Sequence, residues 1–116
     1  MEKPVVDLNK ALEIVDGDKE FLKELVELFK KDYTEKLEEI YCAIQKKDFK
    51  TIDEVAHSLK GASGNLGLMR IYELSFEIEK MGKEAKLEGV EKIYEELKEE
   101  LDRFKEFVSQ PGWEEG

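Results

Sequence analysis

The stretch Thr51-Ile52-Asp53-Glu54-Val55-Ala56-His57-Ser58-Leu59-Lys60-Gly61-Ala62-Ser63-Gly64-Asn65-Leu66-Gly67 has the spacing of one amphipathic helix with two unlike faces. At about 100° per residue, Ile52, Val55, Ala56, Leu59, Ala62, Ser63 and Leu66 cluster within roughly 60° of a common direction, which must face a core. His57 then falls roughly 160° from that direction, on the outward face. Lys60, Gly61 and Gly64 share its side, one and two turns further on. A helix with a single apolar stripe requires other helices to cover it.

The flanking sequence supplies them. A long helix is expected from about Asp18 to Lys47, with Leu22, Leu25, Val26, Phe29, Tyr33, Leu37, Ile40, Tyr41 and Ile44 along its seam. Thirty residues would span about 45 Å, so a bend or break is expected near Asp32-Tyr33-Thr34. The helix of the quoted stretch runs from about Lys50 to Asn65. Another follows from about Leu68 to Lys86, with Ile71, Leu74, Ile78, Met81 and Ala85 inward, and a last one from about Gly89 to Ser109. Asp7 reads as the N-cap of a short leading helix that Gly17 stops. Between Pro4 and Pro111 no proline interrupts the chain, and no alternating β-branched run or hairpin turn signals a strand. Short connections force neighbouring helices antiparallel. The expectation is an all-α, antiparallel up-down four-helix bundle with a short N-terminal helix, over residues 1–110. Residues 111–116 form a C-terminal tail in which the sequence leaves Trp113 unplaced.

Composition narrows the chemistry. The 116 residues carry 29 Asp and Glu against 19 Lys and Arg, a formal net charge of −10. Neutralising phosphodiesters takes clustered Lys and Arg, so a nucleic-acid binder is disfavoured. No apolar run approaches the ~20 residues of a membrane span, and no secretory leader opens the chain. The lone Cys42 excludes an internal disulfide framework and a cysteine-rich zinc site, which favours a cytoplasmic location. Glu54-Val55-Ala56-His57 has the Glu-x-x-His spacing of di-iron bundles, but that site needs two such motifs and the chain has one histidine. No metal site of its own is expected.

His57 is therefore a single outward imidazole, and most surface histidines have no role. The glycines alter that reading. Each glycine inside a helix costs about 1 kcal/mol relative to alanine. Gly61 and Gly64 both lie on the solvent side, where no packing neighbour demands a missing side chain, so they clear space for another molecule beside the ring. Lys60, one turn from His57, can offset the roughly two negative charges of a phosphoryl group, although lysines are common on this surface. Asp53 and Glu54 belong to the charged face.

Ala56-His57-Ser58-Leu59-Lys60-Gly61-Ala62-Ser63-Gly64-Asn65-Leu66-Gly67 resembles the signature of histidine-containing phosphotransfer domains: His-x-x-Lys-Gly, a small residue, and Gly ten positions after the histidine. The resemblance implies a phosphocarrier in a multistep phosphorelay. His57 would take a phosphoryl group from the aspartyl phosphate of one receiver domain and pass it to the aspartate of another. It further implies that Nε2 carries the phosphoryl group, that Lys60 stabilises it and that Gly61 and Gly64 give access. Members often place a glutamine about 22 residues after the histidine; here that position is Glu79. A carboxylate would repel a phosphoryl group, so either the register or the supporting contact differs, and Lys83 one turn later is placed to compensate.

Neutral imidazole has a free lone pair near pH 7 and attacks an acyl phosphate in line. No cofactor is expected on this chain, and Mg²⁺ is expected on the partner receiver. The implied partners are response-regulator receiver domains and an upstream hybrid sensor kinase. The chain would be half of a composite site and not a stand-alone enzyme. A monomer is expected, because each helix has one stripe to bury, and the ordinary start and tail favour a free-standing protein. A receiver would cover the face around His57, with Val6, Ile14 and Phe21 as candidate docking residues. Two rival readings are a non-catalytic interaction bundle with an incidental histidine, and an enzyme that uses His57 as a base.

Overall fold

The computed structural model describes residues 7–115. Five α-helices follow one another: α1 (Leu8–Ile14), α2 (Lys19–Lys46), α3 (Phe49–Asn65), α4 (Met69–Glu84) and α5 (Val90–Ser109), closed by a 3₁₀ turn at Trp113–Glu115. Three aspartates start the first three helices. The carboxylates of Asp7, Asp18 and Asp48 accept from the backbone N–H groups of Lys10, Phe21 and Thr51, satisfying donors that the helix leaves unpaired. α2 and α4 end on left-handed residues, Lys47 and Ala85, which turn the chain back antiparallel. Ala85 is thus an exposed cap and not an inward residue of α4.

α2 to α5 form the four-helix bundle, in which α2 and α4 each pack against both α3 and α5. The molecule measures 41 × 25 × 21 Å, and its long axis matches the ~42 Å that 28 helical residues span. The break expected near Asp32-Tyr33-Thr34 does not occur. Tyr33 is fully buried and donates its hydroxyl to the Leu97 carbonyl of α5 at 2.5 Å. Phe29 packs edge-on to both Tyr33 and Phe104, with centroids 5.5 Å apart in each case. This aromatic seam supports α2 where an isolated helix of that length would bend. Tyr41, by contrast, lies outside the seam: it is 51% exposed and rests beside Tyr94 on the surface.

α3 and α4 are the most intimately packed pair, and glycine allows it. A Cβ at Gly82 would stand 2.8 Å from the Asp53 backbone nitrogen and 3.1 Å from the Phe49 carbonyl oxygen. The buried, small Ser63 and Ser75 lie on the same two helices. At the connection between them, Gly67 has φ +72°, and a Cβ there would lie 2.7 Å from the Asp7 carbonyl oxygen. The Asp7 N–H donates to the Gly67 carbonyl at 2.9 Å, which lays α1 over the α3–α4 connection.

The C-terminal segment is placed by packing and charge. Trp113 lies 6.1 Å from the Phe107 ring, Glu114 pairs with Lys23 at 3.0 Å and Glu115 with Lys19 at 2.6 Å. Residues 113–115 therefore close the end of the bundle between α5 and the start of α2.

Candidate functional site

His57 sits in the middle of α3 with its side chain 68% exposed, on the face opposite Ile52, Ala56 and Leu59. Its surroundings come from α4. Glu79, only 3% exposed, reaches it with Oε2 2.5 Å from Nδ1. The other carboxylate oxygen of Glu79 accepts from Lys60 Nζ at 2.7 Å. One buried carboxylate thus holds the ring and the neighbouring ammonium together.

Lys60 is more covered than a solvated lysine. Its side chain is 20% exposed, and its ammonium lies 4.9 Å from the centroid of the Phe76 ring, a cation–π arrangement. The Ser63 hydroxyl donates to the Lys60 carbonyl at 3.0 Å. On α4, Tyr72, Phe76 and Glu79 recur at four and three, so one edge of that helix faces the His57–Gly64 edge of α3. The close approach at Gly82, three residues beyond Glu79, brings the carboxylate within reach of the ring.

Charge favours an ionised Glu79. Burial pushes its carboxyl up, but the hydrogen bonds and charges of Lys60 and His57 outweigh burial and hold it below its ordinary value. The hydrogen bond to Glu79 likewise raises Lys60, against a smaller opposing effect of burial. An ionised carboxylate can only accept, so the proton of a neutral His57 ring belongs on Nδ1. Nε2 is left with its lone pair on an exposed ring. A single carboxylate therefore selects the tautomer and fixes the ring plane.

The remaining candidates divide. A Cβ at Gly61 would meet nothing within 4 Å, so this position leaves open space beside the site. Gly64 differs, because the gap it leaves is occupied by its own chain: a Cβ there would stand 3.2 Å from Tyr72 Cδ2. Lys83 is not at the imidazole; it pairs with Asp53 at 3.1 Å. Lys60, not Lys83, is the cation that pairs with Glu79. Glu54 faces Lys50 at 4.0 Å. Phe76 and Tyr72 border Lys60 and Gly64, and Gly82 sets the approach of α4, yet the spacing around the histidine does not point to any of the three. The only available signal was Gly82 itself, a glycine inside a helix with no turn to make.

Between α1, α2 and α3, the apolar Ile14, Leu25, Leu28, Ala62 and Leu66, with the polar Asp32 and Asn65, line a groove of about 480 Å³. Ile14, Phe21 and Leu28 are exposed, Leu28 to 67%. Val6 lies outside the described residues. Among the described residues no cluster of three or more His, Cys, Asp or Glu is arranged to hold a metal ion, and no helix is long and apolar enough to cross a membrane.

Residues 24–107 match the family model of the Hpt domain. The chain belongs to the Hpt domain family. This Hpt domain is 32% identical over 94 residues to the phosphorelay intermediate protein rdeA of Dictyostelium discoideum, a match over 81% of this chain and 37% of that protein. It therefore spans little more than a third of that relative's length. In fold, the Hpt domain is similar to the crystal structure of histidine-containing phosphotransfer protein B from Pseudomonas aeruginosa PAO1. The TM-score is 0.81 at 22% identity, covering 89% of this chain and 90% of that one.

Proposed function

We propose that this Hpt domain is a phosphocarrier of a multistep phosphorelay, with His57 as its phosphoryl acceptor. The observation that carries the reading is the 2.5 Å contact between Nδ1 of an exposed histidine and a buried carboxylate. That contact keeps the Nδ1 proton in place and leaves Nε2 as the nucleophile, with no general base needed at the moment of attack. The Nε2 lone pair forms the N–P bond while the P–O bond of a receiver's aspartyl phosphate breaks, its electron pair leaving with the aspartate. The step runs through a loose transition state, so positioning and charge compensation do most of the work.

The domain contributes the nucleophile, Lys60 as a cation beside it, and the clearance at Gly61. The receiver supplies the aspartate and Mg²⁺. The working site is thus composite, and the domain alone turns nothing over. An upstream hybrid sensor kinase and downstream response regulators are the partners that this reading requires. The exposed apolar residues Ile14 and Leu28, which line the groove between α1, α2 and α3, and the exposed Phe21 of α2 suit docking of a receiver's own apolar helix face.

Incubation with a phosphorylated receiver tests the proposal. Acid-labile, base-stable phosphate should map to His57 alone, in stoichiometric amount, and His57→Gln should abolish it. Label that never moves to the chain would return it to a non-catalytic interaction bundle. Multiple turnover without a partner would make it an enzyme.

A further inference from the structure

The phosphocarrier reading leaves a charge problem, and its solution says more about the site. In the resting domain the Glu79 carboxylate already holds two groups, Lys60 Nζ at 2.7 Å and His57 Nδ1 at 2.5 Å. The three groups sum to zero when the ring is neutral. Attack by Nε2 changes this: a ring bearing both the Nδ1 proton and an Nε2–P bond is an imidazolium, with a full positive charge against the same carboxylate.

We infer that Glu79 exchanges counter-ions during the cycle, Lys60 holding it in the resting state and the phosphorylated imidazolium holding it afterwards, which releases the Lys60 ammonium to the phosphoryl oxygens and keeps the phosphoryl group poised to leave. Atoms and electrons balance without any proton transfer. On acceptance, the lone pair of Nε2 forms the N–P bond and the Nδ1 proton stays. On donation, an aspartate oxygen of the next receiver attacks phosphorus, the N–P bond breaks, and its electron pair returns to Nε2 to give neutral imidazole. Were the Nδ1 proton lost from the phosphorylated ring, the leaving group would be an imidazolate, a far poorer one. A neutral amide in place of Glu79 would accept a hydrogen bond from Nδ1 but bring no charge to retain the proton. A carboxylate here therefore makes a readily donating carrier, where an amide would make a longer-lived store.

The neighbouring charges leave this exchange to Glu79 and Lys60. On α3, Asp53 is engaged by Lys83 and Glu54 faces Lys50. On α4, Tyr72 flanks Lys60, Lys83 faces Asp53, and the carboxylate at the ring is Glu79. Lys60 has only to give up one carboxylate oxygen for a dianion beside the same ring, and a doubly charged partner attracts it more strongly than a singly charged one.

The inference rests on His57 being the acceptor, but its test does not need a receiver. Phosphoramidate transfers its phosphoryl group to exposed imidazoles directly, and full-length wild type and Glu79→Gln can both be labelled so. Ring ¹⁵N spectra from about pH 5 to about pH 9 report the Nδ1 proton. The wild-type phosphorylated ring should keep that proton to a pH at least one unit higher than Glu79→Gln, roughly tenfold in the proton equilibrium. Its phosphate should be lost correspondingly faster above pH 8, and the Lys60 ammonium resonance should shift on phosphorylation. Identical titrations of the two folded proteins would overturn the inference, as would an unmoved Lys60 resonance. If Glu79→Gln fails to fold, the wild-type ring is compared with free phosphohistidine, and coincident titrations overturn it equally. A receiver that never labels the chain, alongside the expected difference in titration, would overturn the phosphorelay role while leaving the ring chemistry standing.

Discussion

Gly82 of α4 lies against the backbone of Asp53 of α3, so near that a Cβ would be 2.8 Å from the Asp53 nitrogen. That contact is three residues from Glu79 on one helix and four from His57 on the other. It joins the packing of the bundle to the chemistry of its surface, because the separation of the two helices determines whether the carboxylate reaches the ring.

Gly82→Val should therefore be costly twice over. Backbone atoms cannot yield as a flexible side chain would, so the helices must separate, at about 1–3 kcal/mol by analogy with overpacked cores. Urea unfolding should show that loss, and labelling of the folded variant at His57 should fall as Glu79 withdraws. Unchanged labelling with reduced stability would separate the packing from the site.

Gly61 and Gly64 should respond in opposite ways. With open space around it, Gly61→Ala should raise stability by about 0.5–1 kcal/mol through helix propensity alone. Gly61→Trp should fold but block the receiver. Gly64→Ala must displace the Tyr72 ring and should be neutral or destabilising. Thermal melts of the two alanine variants, read beside transfer rates, check both statements.

Acid should destabilise the fold partly through Glu79. Its carboxyl lies below the ordinary value of 4.5 when folded, so the unfolded chain binds the proton more readily. The resulting stability is present above pH 4.5 and is lost as pH falls through the folded value. Glu79→Gln should flatten the stability profile below about pH 4.5 relative to wild type. Lys60 runs the other way: its raised value adds stability that is present below 10.5 and lost at higher pH. Urea midpoints across both ranges give the test.

Trp113→Ala should reduce stability by about 1–2 kcal/mol, since the half-buried indole covers Phe107 at the closed end of the bundle. Transfer to His57 should be unaffected, because the indole rests on Phe107 of α5 and not on the α3–α4 edge that holds the ring. A drop in transfer without a drop in stability would assign the segment a role in docking.

The helical architecture was legible in the chain, because period, capping aspartates and the absence of internal proline all act locally. So was the outward position of His57, which follows from the helix wheel alone. The expected break in α2 failed for a tertiary reason: Tyr33 and Phe29 meet α5 along its middle. Tyr41 and Ala85 were placed inward by spacing, yet a seam is buried only where a partner helix lies opposite it.

The site shows the same division. His57, Lys60 and the open ground at Gly61 lie within one helix, and helical geometry alone relates them. Glu79 was located by its separation from the histidine, but the linear order did not show which cation would stand beside its carboxylate. Its local charge balance depends on that cation, which is on another helix. Lys60 and Lys83 are equally plausible partners in the linear order, and only the packing of α3 on α4 sends one to Glu79 and the other to Asp53. Local periodicity specifies faces; the distance between two faces is a property of the packed core, and the charge balance at His57 depends on that distance.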